Sequence, residues 1–257
     1  MSGAGWVAAD GVRISWYILT YQDLPRLQRT LARLRALYPE SWVRVVSDGD
    51  PDPRIDAICE RYSVACTKQE RLFRVEHGGE LVQRMLELFL SQDEADILIK
   101  IDPDTHVRSR FARMPHPTDM SVCGTVQSAE AGTERLVSIQ GGCVIVPRHA
   151  ARRLASSGLL MSDRLKPPAL EWAVNPFSRA RAASGLTSFD WTLGWACRQL
   201  GLASIEHPEV FSRYRPNLFD SLSRRTAAVV HPRFEIRQLA RPIFYVPRRW
   251  AWRFLPR

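Results

Sequence analysis

The feature that most constrains this chain is a regular alternation of short branched apolar runs with longer amphipathic ones. "VRISWYILT", Val12 to Thr20, is too short for a helix and too apolar for a surface segment, so it reads as a buried strand. "DLPRLQRTLARLRALY" follows with Leu24, Leu27, Leu31, Leu34 and Leu37 at helical spacing, and Asp23 stands where an N-cap is expected. "SWVRVVSD" is a second strand, and Ile55, Ile58, Cys59 and Tyr62 mark one face of a second helix. A short strand near Val64 to Thr67, a helix from Glu80 to about Leu90 and the strand in "DILIKIDPDTHV" continue the pattern. Such alternation predicts βαβ units and an α/β fold with a mostly parallel central sheet flanked by helices.

After Arg110 the pattern loosens. Strands are predicted around Met120 to Val126 and Arg135 to Val146, with a helix after Arg148. The stretch from Met161 to Ser184, rich in Pro, Ala and Arg, reads as a long loop. "TSFDWTLGWACRQLG" reads as a helix capped by Thr187 or Ser188 and stopped by Gly201, and "AAVVH" as a last short strand.

In open parallel sheets ligands collect beyond the carboxyl ends of the strands. Thr20 and Tyr21, Asp48 and Gly49, and Asp102 and Asp104 all fall at such ends and point to one crevice. Asp102 and Asp104 are two apart with Pro103 between, so in an extended segment their carboxylates share a side. Like charges this close need a proton or cation between them, and hard oxygen ligands suit magnesium or manganese. An acidic turn that merely ends a strand is the simpler alternative.

Charge and cysteine usage set the setting. The formal charge of +9 is compatible with an acidic partner such as a nucleotide, a phosphorylated lipid or an anionic membrane. Cys59, Cys66, Cys123, Cys143 and Cys197 form no metal spacing and sit in apolar segments, which fits a reduced, cytoplasmic compartment. No apolar run approaches the roughly 18 residues a spanning helix needs.

Taken in order, these segments resemble the GT-A glycosyltransferases, especially the large family 2-like group of inverting enzymes that use nucleotide-diphosphate sugars. "ILTYQDLPRLQRTLARL" is similar to their first strand, nucleotide loop and helix, and "VVSDGDPDPRIDAICERY" to their second strand with its acidic loop. "ILIKIDPDT" resembles their D-x-D strand, and "IQGGCVIVPRHAARRL" and "FDWTLGWACRQLG" resemble their acceptor-side elements. The resemblance implies a Rossmann-like GT-A domain over residues 1–232, with a nucleotide-binding half at about 12–110 and an acceptor-binding half at about 111–232.

It implies that Thr20, Tyr21, Asp48 and Gly49 hold the nucleoside, that Asp102 and Asp104 bind the divalent cation, and that Asp190 is the catalytic base. His231 resembles a late histidine that some members add to the metal shell. Gly142, with Gly141, either lets the backbone approach the donor sugar or marks a bulge. Gly78 and Gly79, opening a helix, either receive a phosphate or simply turn the chain. Trp191 and Trp195 are either sugar-stacking platforms or core. The first strand lacks the proline common before its threonine and the acidic loop is "GDPDP", so nucleotide contacts that differ from those of close relatives are expected; a Q-x-x-R-W motif is absent, so a non-processive enzyme is expected.

The expected reaction moves a sugar from a nucleotide-diphosphate donor to a glycan, lipid-linked or small-molecule hydroxyl acceptor, in cell-surface glycan or glycolipid assembly. No nucleic-acid partner is expected. Residues 233–257 interleave arginines with Phe244, Tyr245, Trp250, Trp252 and Phe254, a composition suited to peripheral contact with the inner face of a membrane or to packing across the domain. Two competitors remain at this level. One is a haloacid dehalogenase-like phosphotransferase using the D-x-D pair, and the other a non-catalytic GT-A-like protein that binds membranes or a partner.

Overall fold

The structure, a computed structural model, describes residues 5–50, 52–72, 77–91, 94–131, 134–161, 189–212 and 226–231. The long loop after Met161, the caps expected at Thr187 or Ser188 and the C-terminal tail lie outside these residues.

Strands are β1 (Trp6–Ala8), β2 (Ile14–Thr20), β3 (Trp42–Asp48), β4 (Ala65–Gln69), β5 (Ile97–Ile101), β6 (His106–Val107), β7 (Arg113–Pro115), β8 (Ser121–Ala131), β9 (Glu134–Pro147), β10 (Ala203–Glu206), β11 (Val210–Ser212) and β12 (Val229–His231). The α-helices among the described residues are α1 (Leu24–Leu37), α2 (Arg54–Arg61), α3 (Gly78–Leu90), α4 (Arg148–Ala155) and α5 (Phe189–Gln199).

A seven-stranded sheet of order β10-β8-β9-β5-β2-β3-β4 organises the molecule, and every neighbouring pair is parallel except those made by β9. The fold is therefore mixed α/β, as the alternating pattern predicts, with one antiparallel strand in its middle. β2 is buried at all seven positions because helices cover both of its faces.

Alternate residues feed two cores. Tyr17, Leu19, Leu98, Val144 and Val146 pack with residues of α3, α4 and α5, while Trp16, Ile18, Ile97, Ile99 and Ile101 pack with residues of α1 and α2. By the same period-two rule Lys100 projects to the α5 side with Leu98. Gly194 lets α5 lie directly on β9, since a Cβ there would fall 1.9 Å from the Val137 carbonyl oxygen.

Two smaller sheets flank the large one: β1-β7, and β11-β12-β6, in which β12 pairs antiparallel to β6. That pairing carries the end of β12 to the segment just after β5. The strands β1, β6, β7, β10 and β11 have no expected counterpart, being two to four residues long and without usable periodicity. Asp23 does precede α1, but its side chain makes no cap; its carboxylate instead takes the Arg26 guanidinium at 3.0 Å. No helix among the described residues is long and apolar enough to cross a membrane.

Candidate metal centre

The segment Asp102-Pro103-Asp104-Thr105 is a tight turn and not the extended run that the i, i+2 spacing suggested: the Thr105 N–H donates to the Asp102 carbonyl at 3.0 Å. Pro103 suits the second position of such a turn. Side chains fix it from two sides. The Thr105 hydroxyl accepts from the Asp102 N–H at 3.2 Å and donates to the Gly142 carbonyl at 2.8 Å, while Thr30 of α1 donates to the Pro103 carbonyl at 2.9 Å.

Although the turn replaces the expected geometry, the two carboxylates still converge, and on a third group. His231 Nε2 lies 3.3 Å from Asp102 Oδ2 and 3.1 Å from Asp104 Oδ1. Ligand atoms of these three residues all fall within 4.8 Å of one another, so they could hold a metal ion. His231 is buried, and its Nδ1 sits 3.2 Å from the Ser212 hydroxyl. If Nε2 is to ligate a cation, Nδ1 must carry the proton, and Ser212 is placed to receive it. Burial pushes the Asp104 carboxyl up, but the hydrogen bond and charge of His231, with Arg26 nearby, outweigh it and hold Asp104 below the usual carboxylate range.

The room for His231 comes from a bulge. β9 advances from Ile139 to Val144 while β8 covers only Gly124 to Val126, so Gln140 to Cys143 drop out of register with β8, although Cys143 still pairs with Ile101 of β5. Gly141 and Gly142 lie in this bulge and face side chains. A Cβ on Gly142 would lie 1.9 Å from His231 Nδ1, and one on Gly141 would lie 2.6 Å from Asp190 Oδ1. Gly142 is thus the seat of the histidine, and it lies in a bulge, one of the two readings its sequence allowed.

Asp190, in the first turn of α5, accepts a hydrogen bond from the Gly141 backbone and keeps a partly exposed surface. Burial pushes its carboxyl up to about 6; the positive charge of Lys100 opposes that rise and the negative charge of Asp102 adds to it. Lys100, which the sequence reading passed over, is 1% exposed. Its ammonium donates to Asp102 Oδ1 and to the Gly141 carbonyl, each at 2.5 Å, and lies 5.0 Å from the Phe189 ring centroid. The available signal was a lone lysine inside the apolar "ILIKI".

The expected nucleoside residues form a second cluster at the ends of β2 and β3. Thr20 is buried with a hydroxyl that has no hydrogen-bond partner among the described residues. Tyr21 is 36% exposed, and its ring carries the Arg71 guanidinium 3.4 Å from its centroid. Asp48 closes β3. It is fully buried, and its Oδ1 accepts from the Leu72 N–H at 2.7 Å and from the Gln69 side chain at 2.8 Å, so it pins the segment after β4. Gly49, at φ +73, closes against Arg71, whose Cβ would sit 2.6 Å from a Cβ at position 49.

Between α1 and the Asp102–Thr105 turn runs a groove of about 510 Å³, lined by Arg26, Arg29, Arg33, Asp104 and His106 among others. Trp195 packs partly buried against the α5-side core, and Trp191 is half-buried beside Asp190. Gly78 and Gly79 are buried at the start of α3, and Arg84 pairs with Glu80 at 2.7 Å. A comparison of the chain with protein-family models and with curated proteins found no match in either.

Proposed function

We propose that this chain is a metal-dependent glycosyltransferase of the GT-A type, moving a sugar from a nucleotide-diphosphate donor to a hydroxyl acceptor with inversion. The observation that carries the reading is the placement of Asp102, Asp104 and His231, with ligand atoms within 4.8 Å of one another beyond the carboxyl end of a central strand. Two hard carboxylates and one imidazole, with no thiolate, fit manganese or magnesium. Such an ion, when bound, supplies positive charge to the leaving diphosphate.

The chain's own residues account for the rest. Arg26 and Arg29, in the groove beside Asp104, offer positive charge to phosphate oxygens. The Thr20 hydroxyl, without a hydrogen-bond partner among the described residues, offers a hydrogen bond to the nucleoside. Asp190 takes the proton of the acceptor hydroxyl. At neutral pH a carboxyl raised to about 6 is mostly ionised yet more basic than an ordinary aspartate, which suits a general base. The Gly141 N–H holds that carboxylate in one orientation. A single-sugar, non-processive reaction in cell-surface glycan or glycolipid assembly, carried out in the cytoplasm or on the inner face of a membrane, is the setting proposed with it.

The test is a thermal melt with UDP, GDP and dTDP, each with and without Mn²⁺, followed by a transfer assay on Asp190→Asn with whichever nucleotide binds. Stabilisation by one nucleotide only when Mn²⁺ is present, and loss of transfer with binding kept in the variant, support the proposal. Indifference to every nucleotide sinks it.

A further inference from the structure

A lysine in the middle of a central strand is costly to bury unless its charge is met and its donors are used. Lys100 occupies such a place in β5, between Ile99 and Ile101, with its neighbours at 98 and 97 wholly apolar. An aliphatic residue there would continue the α5-side core without any electrostatic cost. Each of the groups that Lys100 meets belongs to the candidate centre. Asp102 Oδ1 takes one hydrogen bond at 2.5 Å, the Gly141 carbonyl takes another at 2.5 Å, and the ring of Phe189, the residue before Asp190, lies under the ammonium at 5.0 Å. A Cβ at position 141 would touch Asp190 Oδ1 at 2.6 Å and Lys100 Nζ at 3.5 Å, so ammonium and carboxylate flank the same small space.

These contacts divide the work of one carboxylate. With Oδ1 of Asp102 held by Lys100, its Oδ2 is the oxygen turned toward His231, at 3.3 Å. The same ammonium fixes the carbonyl of Gly141 in the β9 bulge, and the N–H of that residue meets Asp190. Asp102, Asp104 and Asp190 crowd negative charge into one region, and repulsion among them would spread the site when no divalent ion is present.

We propose that Lys100 is the resident cation of this centre, a positioning residue that keeps Asp102 and the Gly141 bulge assembled whether or not a divalent ion is bound. The proposal rests on the metal reading of Asp102, Asp104 and His231, and it adds a group that no ligand-type spacing would select. It assigns Lys100 no contact with substrate. Its charge offsets the repulsion among the carboxylates while no divalent ion is bound, so that the fold does not depend on the ion to hold them together.

The experiment compares melting temperatures of the wild type, Lys100→Met, Asp102→Asn and the double variant, in EDTA and in Mn²⁺. Methionine keeps the length and removes the charge. In Lys100→Met the divalent ion must supply the missing compensation, so Mn²⁺ is expected to raise its melting temperature by roughly twice the shift seen in the wild type. The double variant, which removes both charges, should melt higher in EDTA than the two single losses predict when added. Equal Mn²⁺ shifts in wild type and Lys100→Met would overturn the proposal, as would simple additivity in the double variant.

If Lys100→Met does not fold in either condition, the double variant decides. Recovery of folding supports the charge pairing, and failure to fold means that removing the Asp102 charge does not relieve the loss of the ammonium, which contradicts the proposal. A wild type that Mn²⁺ does not shift contradicts the metal reading itself, and the Lys100 assignment then stands or falls on the coupling measured in EDTA.

Discussion

The imidazole of His231 occupies the volume that any side chain at position 142 would need: a Cβ on Gly142 would stand 1.9 Å from Nδ1 and 2.1 Å from Cγ of that ring. Glycine here is a packing requirement that joins the β9 bulge to the end of β12, two segments about ninety residues apart in the chain. Gly142→Ala should therefore act on His231 first. Overpacking of this kind costs about 1–3 kcal/mol, and the expected result is a lower melting temperature together with a lost Mn²⁺ response. A variant that melts and binds Mn²⁺ like the wild type would show that His231 is not seated there.

The ligand residues should separate from the fold. Asp104→Asn keeps the shape of the turn but removes a carboxylate directed at His231. A ligand present at about a hundredfold over its Kd stabilises by about 2.7 kcal/mol, and this increment should vanish in Asp104→Asn, separately from any lowering of the melt in EDTA that comes from the lost contact with His231. Calorimetric titration of Mn²⁺ into both proteins checks it.

Asp190 should carry a distinct pH signature. Its folded carboxyl is raised to about 6 from an ordinary value of 3.8. The ionised form is disfavoured in the folded state, so this residue lowers stability above pH 6, and the loss disappears as pH falls through 6 toward the unfolded value. Asparagine has no such charge. Asp190→Asn in EDTA should therefore be more stable than the wild type at pH 8, by up to about 3 kcal/mol, with the difference fading below about pH 4. A pH-independent difference would contradict the burial of a charged group there.

His207 should do the opposite on the acid side. Burial lowers its imidazole from 6.5 to about 4 as it packs edge-on to Trp6 and Phe111, with centroids at 4.8 and 5.2 Å. The unfolded chain binds the proton first, so the stability contributed by neutral His207 is full above pH 6.5 and is lost as pH falls from there to 4. His207→Gln should flatten the acid slope of the stability curve by about 3 kcal/mol over that interval, and chemical denaturation at pH 4 to 7 measures it.

How far the sequence reaches can be judged from particular residues. The strands and helices from Ile14 to Ile101 were legible because burial on one or two faces imposes a period that survives in the apolar pattern. The antiparallel course of β9 was not, since an apolar run fixes burial and not direction. Asp102 and Asp104 were legible as a pair, yet their turn was not, because it depends on Thr30 and Thr105 binding the backbone from elsewhere. Lys100 stayed hidden for a simpler reason: its partners, Asp102 apart, come from the bulge at Gly141 and from α5, and only the folded sheet brings them to β5. Asp48 shows the converse. A carboxylate at a strand end suggested a ligand contact, while in the fold backbone and side-chain donors from the segment around Leu72 use one of its oxygens.

The most direct measurement of the central claim is the melting temperature of the full chain and of Asp104→Asn with UDP, GDP and dTDP, each in Mn²⁺ and in EDTA. The account predicts that one nucleotide raises the melt of the wild type in Mn²⁺, that EDTA abolishes the rise, and that Asp104→Asn lacks it. A wild type that no nucleotide stabilises in Mn²⁺, or a rise that persists unchanged in EDTA and in Asp104→Asn, would contradict it.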